Sequence, residues 1–264
     1  MPYLLTMHDV IFIEKDKPED VDQEKLSLLK EKIKRSDRIV FISEYARKSS
    51  NIHLSIPKDI PQQVIHNGNP VSKIQKVQDI DKHLKIDGPF LFCIGQFLEM
   101  KNFHSLVGML SKLKDYKLVI AGNNDRPYRS IIEHEIERFN LKHRVIMPGK
   151  ISEKAKHYYL QNCEAFVFPS LHEGFGLPPI EAMTYGKPVF LANRTSLPEI
   201  GGDHAFYWDN FDPEEMSKVF ETGMNVYSDS KEEYSLKLKQ RAEKFNWDHT
   251  AQSYLEVYKE MINH

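Results

Sequence analysis

Cysteine is scarce: the chain has two, Cys93 and Cys163, among 264 residues. Each sits inside an apolar run, which fits reduced, buried thiols rather than a disulfide framework. Two cysteines so far apart also make no cysteine zinc site. Long hydrophobic runs are missing as well, and no stretch approaches the ~18 apolar residues of a membrane-spanning helix. The apolar opening, Met1 to Ile13, is broken by His8 and Asp9. It lacks a basic leader and a small-residue cleavage site, so it does not read as a signal peptide. Neither charge dominates: 36 Lys+Arg face 38 Asp+Glu, for a formal net charge of -2. This argues against a nucleic-acid binder held by bulk charge. There is no internal repeat and no low-complexity tract.

What is present is ordinary for a soluble globular protein: 41% hydrophobic and 28% charged residues. At ~150 residues per domain the length allows one large domain or two modest ones. A chain of this size buries roughly 70–75% of its unfolded surface and needs no staple. Apolar strand-like runs alternate with amphipathic stretches of helical length. Strands are predicted at Tyr3–Met7, Arg38–Ile42 and Gln63–His66, with helices at Asp22–Arg35 and, capped by Ser43, Glu44–His53. A polar stretch, Val71–Gly88, reads as a linker. Beyond it, strands are predicted at Phe90–Ile94, Tyr116–Ala121, Arg144–Met147, Ala165–Phe168 and Val189–Ala192. Helices are predicted between them at Asn102–Leu113, Pro127–Phe139, Ser152–Gln161 and Pro178–Tyr185. From Pro213 the pattern is mostly helical, ending in Asp248–Ile262. Strands joined by single helices imply parallel βαβ units with right-handed crossovers, hence an α/β fold. In open parallel sheets ligands sit beyond the C-terminal strand ends. Function should therefore lie in the loops after Ile94, Ala121, Met147 and Phe168.

The most informative stretch runs from Pro169 to Met183. Gly174 and Gly176 let the backbone turn and approach a ligand closely. Pro178 and Pro179 start a helix whose free N–H groups point back into that loop, an anion site suited to phosphate. Glu173 precedes the loop and Glu181 lies inside the helix, so one carboxylate can face a ligand and the other can hold hydroxyls such as those of a ribose. Residue chemistry alone leaves open a glycine-rich strand-to-helix turn with two surface glutamates. Two Asp-x-Asp triplets, Asp20-Val-Asp22 and Asp79-Ile-Asp81, lie in polar connections and are not expected to bind metal. Gly174-Phe-Gly176 lacks the third glycine of a dinucleotide fingerprint.

The block closely resembles the E-x7-E signature of the retaining family 4 glycosyltransferases of GT-B fold. Other segments similar to that family follow in order: Thr6–Asp9, Asp37–Tyr45, Val64–Gly68, Gly95–Asn102, Leu118–Gly122, Pro148–Ser152, Thr195–Gly201 and Phe245–Trp247. The resemblance spans essentially the whole chain. It implies sugar transfer from a nucleoside-diphosphate donor with retention and without metal. It places Lys101 on the donor diphosphate, Glu181 on the ribose and Glu173 beside the transferred sugar. It implies backbone contacts from Gly174, Phe175, Gly176 and Leu177, and base docking near Gly149 and Lys150. It sets His8 against the sugar as a catalytic-site residue together with Glu173. Gln96 and Met100 stand where the family often has an arginine, and Gln96 and Glu199 are possible further contacts. A sugar-nucleotide epimerase on a similar fold is disfavoured by the glutamate spacing.

The expected architecture is a complete C-terminal Rossmann-like domain, 89–246, joined by a linker, 71–88, to a partial N-terminal domain, 1–70. A final helix, 247–264, should pack back toward the N-terminal part. Only about three strands precede the linker, which leads to the expectation of a truncated enzyme or one half of a split one. The alternative function is a non-catalytic remnant that binds a nucleotide-sugar. No cofactor is expected, the nucleotide-sugar being substrate. Expected partners are that donor, a glycan or lipid-linked acceptor and a chain supplying the missing half, with no nucleic acid. The expected location is the cytoplasm, with peripheral contact at the inner membrane face.

Overall fold

The computed structural model describes residues 2–14, 18–71 and 73–263. Among them, nine strands form two separate sheets, and every pairing is parallel. The smaller sheet has the order β1-β2-β3, from Leu4–Met7, Arg38–Phe41 and Gln62–Val64. Two crossover helices join them, α1 (Gln23–Arg35) and α2 (Glu44–His53). Local chemistry sets both helix starts: Asp22 accepts the Lys25 N–H at 2.9 Å, and Ser43 accepts that of Ala46 at 2.9 Å. Period-two alternation sends Leu5, Met7, Ile39 and Phe41 to one face, where Ile33 of α1 and Ala46 of α2 cover them. The outer edge of β1 is unpaired among the described residues.

The larger sheet is built from β4 (Phe90–Ile94), β5 (Lys117–Ala121), β6 (Val145–Gly149), β7 (Ala165–Phe168), β8 (Val189–Ala192) and β9 (Phe206–Trp208). Its crossovers are α3 (Phe103–Lys112), α4 (Arg129–Arg138), α5 (Glu153–Asn162), α6 (Leu177–Thr184) and the short α7 (Leu197–Gly201). Helices α8 (Pro213–Asp229) and α9 (Lys231–Glu243) follow. The order β6-β5-β4-β7-β8-β9 reverses direction between β4 and β7. That reversal is the switch point where doubly wound sheets place their ligands. The central strands are buried on both faces, so they read as continuous apolar runs. Cys93 faces one core and Cys163 belongs to the other; both are free, and burial pushes the Cys163 thiol up to about 12.

The last helix, α10 (Trp247–Asn263), returns to the small sheet. Its Tyr254, Val257 and Met261 cover Leu4, Val40 and Ile65, the face that α1 and α2 leave open. Arg38 and Glu260 pair across this contact at 2.5 Å.

Three details differ from the sequence expectation. The stretch read as a linker includes Ser72, outside the described residues, and the rest of it does not hang free. Val77 and Ile80 are buried with Ala155 of α5, and Tyr159 donates its hydroxyl to the Leu84 carbonyl at 2.8 Å. Two apolar residues suffice to dock a strap whose composition is otherwise polar. Strand β9 went unrecognised because three residues carry no measurable periodicity. Helix α6 begins one residue before Pro178. No described helix is long and apolar enough to cross a membrane.

Candidate active site

The loops after β4 and β7 meet at the switch point and are stitched together. The Leu171 N–H donates to the Met100 carbonyl at 2.7 Å, and Asn102 Nδ2 donates to that of Pro169 at 3.3 Å. This brings Lys101 Nζ to 2.5 Å from Glu173 Oε1, with both side chains largely buried. Lys101 also lies 5.4 Å from the centre of the Phe168 ring. Glu173 Oε2 has no hydrogen-bond partner among the described residues and is not sealed from solvent. A largely buried ion pair with one free carboxylate oxygen can exchange its partner for a ligand.

The glycine-rich loop is polarised. Ser196 Oγ donates to the carbonyls of Glu173 at 3.0 Å and Phe175 at 2.6 Å, and Ser43 Oγ donates to that of Gly174 at 2.7 Å. The N–H groups of Gly174, Phe175, Gly176 and Leu177 make no hydrogen bond among the described residues. Gly176, at φ +124°, turns the chain into α6. The expectation of a ready helix terminus needs correction. Pro178 and Pro179 remove two N–H groups from the first turn, so the free donors belong to the loop and to Leu177.

From the small sheet, His8 is exposed just past β1, and its backbone abuts the same loop. A Cβ at Gly174 would stand 2.6 Å from the His8 carbonyl oxygen, so only glycine lets the two segments touch. At the ends of β4 and β6, Gln96 and Lys150 are exposed, and the Gly149 carbonyl accepts the Gly122 N–H at 2.9 Å.

Glu181 is more enclosed than a surface ligand contact, at 5% exposure. Its Oε1 accepts from Lys156 Nζ at 2.9 Å, while Oε2 is unpartnered among the described residues and not sealed from solvent. Burial pushes the Glu181 carboxyl up, and Lys156 offsets only part of that. Lys156 escaped the sequence reading because nothing in its spacing along α5 announces a partner on α6.

Two expected contacts are engaged elsewhere. The Phe175 ring is buried, 5.9 Å from His66 and 5.7 Å from Phe245, so only its N–H can meet a ligand. Glu199 accepts the α2 N–H groups of Glu44 at 2.8 Å and Tyr45 at 3.2 Å, and meets His66 Nε2 at 2.6 Å. It caps α2 from the opposite sheet. Burial pushes its carboxyl up, but His66 and these two N–H groups outweigh that and hold it below the ordinary range. Glu14 and His172, unnoticed in the sequence, face each other across the cleft at 3.5 Å. Among the described residues no group of three His, Cys, Asp or Glu side chains is placed to hold a metal ion.

Two parallel sheets, with a cation, a carboxylate and a loop of free N–H groups at the switch point of the larger, define an α/β protein of GT-B fold. The family model for glycosyl transferases group 1 matches residues 75–245, and the chain belongs to that family. It is 26% identical over 242 residues to the serotype-specific mannosyltransferase WbdA of Escherichia coli, covering 86% of this chain and 29% of that protein. It is 28% identical over 261 residues to the O-antigen chain mannosyltransferase B of Escherichia coli, covering 95% of this chain and 64% of that one. The chain thus spans less than two thirds of the length of these curated relatives. Among solved structures, sucrose-phosphate synthase from Thermosynechococcus elongatus superposes with a TM-score of 0.85 at 20% identity, covering 100% of this chain and 68% of that one. Anabaena HepE, in complex with UDP and glucose, gives 0.82 at 17% identity, covering 98% of this chain and 71% of that one.

Proposed function

We propose that this chain transfers a hexose from a nucleoside-diphosphate-sugar to a glycan or lipid-linked acceptor, with retention and without a metal cofactor. The observation that carries this reading is the convergence of Lys101, Glu173 and the four free N–H groups of Gly174 to Leu177 at the β4/β7 switch point. The donor diphosphate lies over those N–H groups and draws Lys101 to it. Charge develops on the departing diphosphate as the bond from the anomeric carbon to phosphate oxygen breaks, and donors already aimed there stabilise it. The acceptor oxygen bonds to the anomeric carbon on the face the diphosphate leaves, and its proton passes to the leaving phosphate oxygen. Glu173, with one oxygen free, holds a hydroxyl of the transferred sugar, and His8 faces that sugar from the other sheet. Glu181, oriented by Lys156, takes the ribose hydroxyls through its open oxygen. The base lies along Gly149 and Lys150. A lipid-linked acceptor would bring the chain to the cytosolic membrane face.

The relatives named as mannosyltransferases make GDP-mannose the first donor to test, and HepE, also solved with UDP-glucose, makes that the second. Calorimetry with GDP and UDP should show binding that falls at least ten-fold in Lys101→Ala and in Glu181→Gln and persists in EDTA. Anomer analysis of the product should show the donor's configuration. Loss of affinity in EDTA removes the metal-independent part of the reading, and inverted product removes retention. Binding without turnover moves the chain to the alternative, a donor-binding subunit that needs a further chain. No binding of either nucleotide overturns the assignment.

A further inference from the structure

A second polar cluster lies in the cleft, one residue from Glu173, and the reaction above leaves it unused. Glu14 comes from the segment after β1, Tyr45 and Ser49 from α2, and His172 from the loop after β7. Glu14 Oε1 accepts from the Tyr45 hydroxyl at 2.8 Å and from that of Ser49. Its Oε2 is sealed from solvent without a hydrogen-bond partner among the described residues, and so is His172 Nδ1, 3.5 Å away. The Glu14 side chain is 10% exposed and that of His172 38%. His172 Nε2 is neither bonded among the described residues nor sealed, so it lies on the open side of the ring. Two orphaned polar atoms 3.5 Å apart need only a slight approach of their two segments to form a charge-assisted hydrogen bond.

We propose that Glu14 and His172 form a dyad across the cleft, in which the carboxylate fixes Nδ1 as the protonated nitrogen and leaves Nε2 to accept a hydrogen bond from a non-reacting hydroxyl of the acceptor sugar. Glu14 is then a positioning residue, and His172 a contact that orients the acceptor beside Glu173. A carboxylate behind an imidazole sets its tautomer and ring angle. The pair joins the segment that follows β1 to the loop that follows β7, so it orients the acceptor only while those two segments abut. Acceptor recognition is thereby coupled to closure of the cleft. This role rests on the transferase reading, whereas the tautomer does not.

Two readouts separate them. Long-range proton–nitrogen spectra of histidine-labelled protein should show the Nδ1–H tautomer of His172, and Glu14→Gln should abolish that preference. With donor, transfer to methyl α-D-mannoside as probe acceptor should fall at least ten-fold relative to donor hydrolysis in both Glu14→Gln and His172→Gln, while hydrolysis stays within two-fold. Tyr45→Phe, which removes a hydrogen bond from the other carboxylate oxygen, should change neither. A His172 tautomer with Nε2 protonated, or one indifferent to Glu14→Gln, overturns the dyad, as does an equal fall of transfer and hydrolysis. If the wild-type chain neither hydrolyses donor nor transfers to the mannoside, the transferase reading fails and the spectrum alone decides the dyad. Should Glu14→Gln not fold, the loss of transfer with retained hydrolysis in His172→Gln decides it.

Discussion

The six-stranded sheet is covered on both faces by elements of its own half of the chain, whereas the three-stranded sheet borrows one of its covers. Strands β4, β7 and β8 are buried almost throughout between two cores. The small sheet has one core under α1 and α2, and its other face depends on α10 from the far end of the sequence. Its remaining anchors also come from the large sheet: Glu199 on the α2 N-terminus, the Gly174 carbonyl on Ser43, and Phe175 against His66. The half proposed to bind donor therefore holds its own shape. The half proposed to meet acceptor has a shape that the rest of the chain imposes on it.

Substitutions can break that asymmetry. The largest effect should come from Phe166→Ala in the fully buried large core, a loss of about 3–5 kcal/mol by chemical denaturation. Both sheets should be lost together there, because the small one cannot outlast its support. Glu199→Ala removes a charged acceptor from two N–H groups and His66, at a cost of about 1.5–3 kcal/mol. Hydrogen exchange should then accelerate in β1 to β3 while β4 to β8 stay protected. Equal acceleration in both sheets would contradict the asymmetry. Val257→Ala removes two methyl groups from the α10 contact, about 1.6 kcal/mol at ~0.8 per group, again confined to the small sheet.

The smallest effect is a difference in sign on titration. Burial pushes the Glu14 carboxyl up, but His172, Ser49 and Tyr45 outweigh it and bring it from 4.5 down to about 2. Its stabilising contribution is therefore complete above pH 4.5 and is lost as pH falls toward 2. Glu181 is displaced upward by burial, so its ionisation opposes folding at neutral pH and the cost lifts on acidification. In acid titrations followed by tryptophan fluorescence, Glu14→Gln should lessen the loss of stability below pH 4.5. Glu181→Gln should leave stability at pH 7 unchanged or raised. A destabilised Glu181→Gln would mean that the carboxylate supports the fold rather than a ligand.

Features set by neighbours in sequence were legible in advance. Ser43 announces α2 because an N-cap acts over three residues. The strands β4, β7 and β8 show as apolar runs bounded by polar residues. Glu173 was readable from its place before the glycine-rich loop and Lys101 from the family resemblance, but their pairing depends on the order of strands in the sheet. Glu199 looked like a ligand contact because its real partner, the α2 N-terminus, is 155 residues away. The Glu14–His172 contact was hidden for the same reason. Phe175 sits in the motif expected to bind a ligand, but its ring packs into the aromatic contact with His66 and Phe245.

The glycine loop keeps four N–H groups unpaired among the described residues while serine hydroxyls occupy its carbonyls. Such a surface is selective for protonation state as well as for charge. A fully ionised phosphate brings only acceptors and finds a match at every contact. A phosphate that keeps a proton brings a donor of its own and must turn that P–OH away from the loop. On the proposed reading, the serines thereby tune which ionic form of a phosphate the loop would hold.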